Sequence, residues 1–223
     1  MSSTIGEHAA TSDPLLPPKP RARGWIHLVA TPLVLCAAML AIAVPETLGE
    51  RLSVAVFGAT SVLLFGASAV YHLGNWSPKL NDFLRRLDHS NIFLLIAGTY
   101  TPLAVLVLEA EQRNLLLSVI WSGALLGIAT RQFWPNAPQW VFVFIYIVLG
   151  WCAVWYLPEF LALGGNVVVW FIVLGGIFYT LGAAAYATKY PNFFPATFGY
   201  HEVFHLYTII AWVCHFIAIL AAM

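Results

Sequence analysis

Seven long apolar stretches constrain the fold of this chain more than any other feature. They cover residues 25–46, 52–74, 89–108, 115–133, 139–157, 165–187 and 201–222. A helix needs about 20 consecutive apolar residues to cross the hydrocarbon core of a bilayer. Because lipid offers the backbone no hydrogen bonds, a crossing segment of this kind has to satisfy its own backbone groups as a helix. We therefore predict an all-α membrane protein, built as a seven-transmembrane helix bundle.

The composition supports this class and excludes others. Hydrophobic residues make up 61% of the chain and charged residues 9%, with a mean hydropathy of +0.81. Soluble domains are roughly half apolar and a quarter charged. The formal net charge is zero and no basic run with interleaved aromatic residues is present, so we expect no nucleic-acid partner. The three cysteines lie in apolar stretches without C-x-x-C spacing, which predicts neither disulfides nor a thiolate metal cluster.

The ends and the charges predict an orientation. Residues 1–23 are polar and proline-rich, so we expect a disordered cytoplasmic tail followed by one membrane domain over residues 24–223. Lysine and arginine are enriched on the cytoplasmic side of membrane proteins. One set of predicted loops and span ends carries Lys19, Arg21, Arg23, Lys79, Arg85, Arg86, Arg131 and Lys189. The opposite loops carry only Arg51 and Arg113. The N-terminus is therefore predicted to be cytoplasmic and the C-terminus external.

A cluster of histidines is predicted near the cytoplasmic face. The sequence HEVFH, which begins the seventh span, places His201 and His205 one helical turn apart, so both rings can reach one ion. The second span ends in SAVYH, which adds His72. Because successive spans alternate in direction, these histidines share one membrane depth with Asp88, in the sequence RRLDHS. Three imidazoles with one open position are typical of catalytic zinc.

The neighbouring polar residues suggest chemistry at such a site, and each also has a structural explanation. Ser68 lies one turn before His72, and Asp88 is the carboxylate available to orient or deprotonate a water molecule. Asp88 could instead cap a helix and pair with Arg85 or Arg86, and Ser68 could bond to its own helix. The histidines could serve interfacial contacts or helix packing. His215, deeper in the seventh span, is expected to be a packed histidine.

Three motifs resemble the hemolysin III family: SAVYH, RRLDHSNIFLLIAGTYTPLAVLVL and YHEVFHLYTIIAWVCHFIAI. This is the bacterial branch of the progestin and adipoQ receptor family, whose superfamily also holds alkaline ceramidases. The resemblance covers the chain from about residue 24 onward and implies a multi-pass protein of the bacterial plasma membrane. It implies zinc held by His72, His201 and His205. Ser68 and Asp88 match the positions associated with the water molecule and its activation.

The predicted function is a zinc-dependent hydrolase of a lipid amide or ester bond, similar to a ceramidase, with a membrane lipid as substrate. A first alternative is a membrane homeostasis regulator or receptor-like protein in which zinc is structural and the lipid is a ligand. The least favoured alternative is a pore-forming hemolysin, because few charged residues lie within the spans.

The sequence H-E-x-x-H also raises the possibility of an intramembrane metalloprotease with Glu202 as its base. Such an enzyme needs a third carboxylate ligand, typically in a D-G setting, and no aspartate here precedes glycine. His72 therefore fits better as the third ligand. In the superfamily that the motifs resemble, the residue after the first histidine need not be glutamate, so the resemblance favours Asp88 as the base and makes Glu202 a coincidence of the pattern.

Overall fold

The chain is a bundle of helices. The computed structural model describes residue 20 and residues 22–134 and 137–223, without the side chain of Gln139. Within these residues there is no β-strand. Six segments are helical, long and apolar enough to cross a membrane by length and composition. The prediction of an all-α membrane protein is therefore confirmed. Most of the predicted tail, 1–23, lies outside the described residues.

The helices follow the predicted spans closely at most boundaries. They are α1 (Trp25–Ile42), α2 (Leu48–Leu73), α3 (Pro78–Val107), α4 (Ala110–Phe133), α5 (Gln139–Gly150), α6 (Leu157–Glu159), α7 (Gly165–Thr188) and α8 (Tyr200–Ala221). A 3₁₀ segment, Trp151–Tyr156, and a π-helical segment, Phe160–Gly164, flank the short α6.

The segment from α5 to α7 accounts for the difference between seven predicted spans and six apolar segments. By hydropathy it forms one candidate, Trp140–Thr188, of 49 residues. A straight helix of that length would extend roughly 70 Å, more than twice the hydrocarbon thickness. Gly165 has a φ of 82°, a left-handed conformation that ends the helical path. The Trp151 indole donates a hydrogen bond of 2.9 Å to Thr180 Oγ1, so the two parts of the segment pack against each other.

Helix α3 begins earlier than the predicted third span, which starts at residue 89. Pro78 occupies the first helical turn, where backbone N–H groups have no partner within the helix, so the N–H that proline lacks is not needed. Asp82 and Arg85 pair at 3.2 Å on the exposed face of these added turns. Hydropathy missed the added turns because they are polar. Asp88 therefore lies well inside α3, and the alternative that it caps the helix is wrong.

The helices form a closed arrangement around α3. Neighbours in sequence pack against each other, α8 also contacts α1, and α3 contacts α2, α4, α5 and α8. Large apolar side chains on the outer faces remain exposed, as expected of surfaces that face lipid. Small residues bring some helices close together: a Cβ at Gly98 of α3 would overlap Thr60 of α2. This close packing holds α2, which carries His72, against α3, which carries Asp88.

Candidate metal centre

Three histidine side chains from two helices meet where α2 ends and α8 begins. His72 is in the last turn of α2, and His201 and His205 are in the first two turns of α8. Each offers one ring nitrogen, and these three nitrogens lie within 4.8 Å of one another. The Nε2 atoms of His72 and His201 are 3.2 Å apart. The structure thus brings together all three predicted ligands. We call this group the histidine cluster.

The histidine cluster fits a transition-metal ion. Tetrahedral coordination with metal–nitrogen bonds of about 2.0–2.1 Å places two ligating nitrogens about 3.3 Å apart. The 3.2 Å between His72 and His201 matches that spacing. His205 is 1% exposed, and its Nδ1 atom is buried without a hydrogen-bond partner. Imidazole is a suitable donor for zinc, copper, iron and nickel. The cluster can therefore hold a metal ion.

Asp88 lies beside the cluster on its inner side. Its Oδ2 atom is 4.0 Å from Nε2 of His72, the same ring nitrogen that approaches His201. The carboxylate therefore lies on the side of the His72 ring that approaches His201. Ser68 is 1% exposed, and its Oγ atom lies near the Asp88 carboxyl without forming a hydrogen bond. The structure thus places both predicted polar residues next to the histidines.

Glu202 is engaged elsewhere, although it completes the H-E-x-x-H pattern. It is 0% exposed, and its Oε1 atom pairs with Nε of Arg23 at 2.8 Å. Its Oε2 atom accepts the backbone N–H of Gly199 at 2.8 Å, which caps the start of α8. Both carboxylate oxygens are therefore occupied: Oε1 holds the chain ahead of α1 against α8, and Oε2 caps α8. A zincin-like role as general base does not fit these contacts.

We expect Arg23→Ala to lower the midpoint of thermal unfolding while leaving bound metal unchanged. The change leaves the buried carboxylate of Glu202 without its cation, at a cost of at most about 3 kcal/mol because Arg23 is partly exposed. Glu202→Gln should have a smaller effect, about 1 kcal/mol, since a glutamine carbonyl can still accept the Gly199 N–H. Thermal unfolding and metal analysis of the purified full chain measure both effects. Equal midpoints for Arg23→Ala and wild type would contradict this role.

A fourth imidazole borders the cluster, and sequence reasoning gave it no role. His27, in α1, stacks on His205 with ring centroids 3.9 Å apart and an angle of 14° between the rings. The His27 ring also packs against Phe65 in a T-shaped arrangement, with ring centroids 5.0 Å apart. The alternation of spans could have revealed it, because His27 lies at the start of the first span and so at the depth of the cluster. The contact of Arg23 with α8 could not be predicted in this way, because Arg23 belongs to the segment that was predicted to be a disordered tail.

A cavity runs from the histidine cluster into the bundle. It has a volume of about 1150 Å³, counting the space at its mouth, and its wall is mostly apolar. Asp88, Ser68 and His205 line one end, and Tyr179 and His215 line the part deeper along α7 and α8. A cavity with these walls suits an aliphatic chain, with the polar group of that molecule at the cluster. The arrangement therefore combines a histidine cluster that can hold a metal ion, a carboxylate and space for an aliphatic chain.

Comparisons with known proteins agree with the motifs. A family model described as Haemolysin-III related matches residues 17–216. The chain is 31% identical over 160 residues to the Hemolysin-3 homolog of Bacillus subtilis (strain 168), covering 72% of each chain. It is 31% identical over 155 residues to Hemolysin-3 of Bacillus cereus, covering 69% of this chain and 67% of that one.

A more distant relative comes from an animal. The chain is 24% identical over 216 residues to Progestin and adipoQ receptor-like protein 1 of Caenorhabditis elegans, covering 87% of this chain and 50% of that one. No solved structure matches. The bacterial relatives and the six apolar segments confirm the prediction of a multi-pass protein of the plasma membrane.

Proposed function

Because this chain belongs to the haemolysin-III related family, we propose that it is a zinc-dependent hydrolase of an amide or ester bond in a membrane lipid. One observation carries the proposal: the Asp88 carboxylate lies 4.0 Å from the His72 nitrogen that approaches His201, at one end of an apolar cavity. A metal-capable cluster alone would suit a structural ion. A carboxylate on its inner side, together with space for a chain, is what hydrolysis of a lipid requires.

We propose that the chain crosses the membrane seven times, with a cytoplasmic N-terminus and an external C-terminus. The 49-residue segment supports two crossings, because both of its parts approach the end of the bundle that holds the cluster. Early in it, the Tyr146 hydroxyl donates to the His89 carbonyl at 3.0 Å, and late in it the Tyr186 ring lies 5.5 Å from the His201 ring. The distribution of lysine and arginine supports the orientation. The site then lies near the cytoplasmic face.

Zinc is the ion we propose for the histidine cluster, held by His72, His201 and His205. Three imidazoles at this spacing form the protein ligand set of several catalytic zinc sites. When bound, zinc supplies Lewis-acid chemistry, which polarises a carbonyl oxygen and makes water more acidic. The contacts of His205 support a firm position for its ring, since His27 stacks against it.

The remaining residues take roles that follow from their positions. Asp88 accepts a proton from the attacking water and returns it to the leaving amine or alcohol. Ser68 orients that water through its hydroxyl, which forms no other hydrogen bond. The apolar wall of the cavity holds the acyl chain, so the scissile carbonyl is positioned at the cluster by burial of the chain. The lipid is expected to enter laterally from the bilayer.

A second candidate function is a membrane homeostasis regulator or receptor-like protein with a structural metal. The observation in its favour is that the histidine cluster joins the end of α2 to the start of α8. A metal there would hold the two helices together and stabilise the fold directly. On this view the cavity binds a lipid as a ligand, and Asp88 has no chemical step to perform.

Asp88→Asn distinguishes the two functions. For a hydrolase we expect turnover of fluorescent ceramide, or of a matched ester lipid, to fall by about 10²–10⁴-fold, since amide nitrogen cannot serve as the base. Bound metal should stay at the wild-type level. Asp82→Asn is the matched control, because Asp82 is an exposed carboxylate on the same helix. Wild-type turnover by Asp88→Asn, or no turnover of either lipid by wild-type protein that retains metal, would contradict the hydrolase.

A further inference from the structure

The inner part of the cavity contains two polar groups that no part of the proposed reaction uses. His215 lies in α8, ten residues beyond His205, and Tyr179 lies on the facing helix α7. Both line the cavity. The Nδ1 atom of His215 and the hydroxyl of Tyr179 are buried, and neither forms a hydrogen bond. Unpaired buried polar groups destabilise the folded state, so two of them side by side in an apolar wall require an explanation.

The hydrogen bonding of His215 fixes what its free nitrogen can do. Its Nε2 atom lies 3.2 Å from the carbonyl oxygen of Ile172. A carbonyl oxygen only accepts, so in this contact Nε2 carries the hydrogen and donates it. In the neutral ring Nδ1 is then a hydrogen-bond acceptor. The ring is also held sterically, because a Cβ at Gly175 would overlap it.

Tyr179 supplies the complementary group. Its ring centroid lies 5.5 Å from that of His215, with an angle of 45° between the rings. A phenol hydroxyl both donates and accepts, and here it does neither with the protein. The cavity wall therefore carries two complementary groups side by side: His215 Nδ1, which can only accept a hydrogen bond, and the Tyr179 hydroxyl, which can donate one. We call this pair the inner polar pair.

We propose that the inner polar pair is a binding subsite for a hydroxyl group carried on the aliphatic chain of the bound lipid. A ligand hydroxyl would donate to His215 Nδ1 and accept from Tyr179, which satisfies both buried groups at once. A ketone or ether oxygen would only accept, and so would leave Nδ1 unpaired. A plain methylene chain would leave both unpaired. The chemistry of the pair thus selects a hydroxylated chain.

The position of the pair locates the hydroxyl along the chain. Ten residues of helix separate His205 from His215, which corresponds to roughly 15 Å along the axis of α8. With its carbonyl end at the histidine cluster, the lipid would therefore carry the hydroxyl well along the chain and not next to the head group. This inference rests on the proposed function, since it assumes that the cavity holds a lipid whose carbonyl end lies at the cluster.

Competition binding to the full chain in detergent tests the subsite. The competitors are long-chain fatty acids that each carry one hydroxyl at a different carbon, together with the unsubstituted acid. Each competitor is tested for its ability to displace a bound fluorescent fatty acid. We expect one hydroxyl position to bind roughly tenfold more tightly than the unsubstituted acid, as for one well-placed hydrogen-bonding group. Tyr179→Phe, which removes only the phenol hydroxyl, should clearly reduce that preference, because the ligand hydroxyl then keeps only its hydrogen bond to His215 Nδ1. Tyr207→Phe is the matched control, because Tyr207 does not line the cavity.

Each outcome separates this inference from the proposed function. Equal binding of hydroxylated and plain acids by wild type would overturn the subsite and leave the lipid-binding cavity standing. A preference as large in Tyr179→Phe as in wild type would also overturn it. Displacement by none of the acids would count against the proposed lipid substrate as well as the subsite. Gly175→Ala gives a second check, since displacing the His215 ring should weaken the preference without changing binding of the plain acid.

Discussion

Replacing His205 by alanine is expected to reduce bound metal from about one ion per chain to almost none. His205 is the most deeply buried member of the histidine cluster, with its ring centroid 4.5 Å from that of His201 and 5.2 Å from that of His72. Its loss leaves two protein ligands where zinc sites use at least three. His72→Ala should have the same effect for the same reason. Elemental analysis of the purified variants measures the result directly.

His89→Ala is the matched control for this experiment. His89 lines the same cavity, but its Nδ1 atom donates to the carbonyl oxygen of Arg85 at 2.6 Å and its Nε2 atom lies 3.5 Å from the Tyr186 hydroxyl, so both ring nitrogens contact groups outside the cluster. We expect this variant to keep the metal content of wild type. Metal retained in both His72→Ala and His205→Ala would show that the histidine cluster is not the binding site. Wild-type protein that binds no metal at all would lead to the same conclusion.

Thermal unfolding of the same samples tests whether the metal stabilises the fold or serves mainly in catalysis. A ligand that binds only the folded state raises stability according to its concentration and affinity. If the metal mainly joins α2 to α8, removal by a chelator should lower the midpoint of wild type and leave that of His205→Ala unchanged. If the metal is mainly catalytic, activity should be lost well before the fold. The two proposed functions therefore differ in what is lost first when the metal is removed: stability for a structural metal, and activity for a catalytic one.

The histidine cluster could be predicted from the sequence because two simple geometric rules determine it. One turn of helix brings His201 and His205 to the same side, and the alternating direction of the spans brings His72 and Asp88 to the same depth. Neither rule depends on details of packing. The structure agrees with both, with Nε2 of His72 3.2 Å from that of His201 and 4.0 Å from the Asp88 carboxylate.

The role of Glu202 could not be predicted, because its partner is remote in the sequence. Arg23 lies 179 residues away, in a segment whose polar composition predicts a tail. Hydropathy describes whether a segment prefers lipid or water, but it carries no information on which buried charge meets which. The inner polar pair was missed for a similar reason. His215 was expected to be a packed histidine, and only the position of Tyr179 beside it shows that two polar groups share the cavity wall.

The largest effect on folding is expected from Gly98→Val, a substitution remote from every ligand. A Cβ at Gly98 would overlap Thr60 of α2. Thr60 cannot easily move, because it is 6% exposed and its hydroxyl donates to the carbonyl oxygens of Val56 and Phe57 at 2.9 and 3.0 Å. Valine adds two further methyl groups to that contact, so α2 and α3 must separate. We expect a loss of about 3 kcal/mol, the upper range for overpacked cores.

Gly49→Val is the matched control. It introduces the same side chain into α2 at a position where an added Cβ would have no neighbouring atom within 4 Å. It should cost little, because the effect of valine on helix propensity is below about 1 kcal/mol. The midpoint of thermal unfolding and the yield of monodisperse protein compare the two variants. Separation of α2 from α3 would also move His72 away from Asp88, so Gly98→Val protein that does fold should lose turnover. A Gly98→Val protein as stable as Gly49→Val would mean that α2 and α3 do not approach each other as closely as Thr60 and Gly98 require.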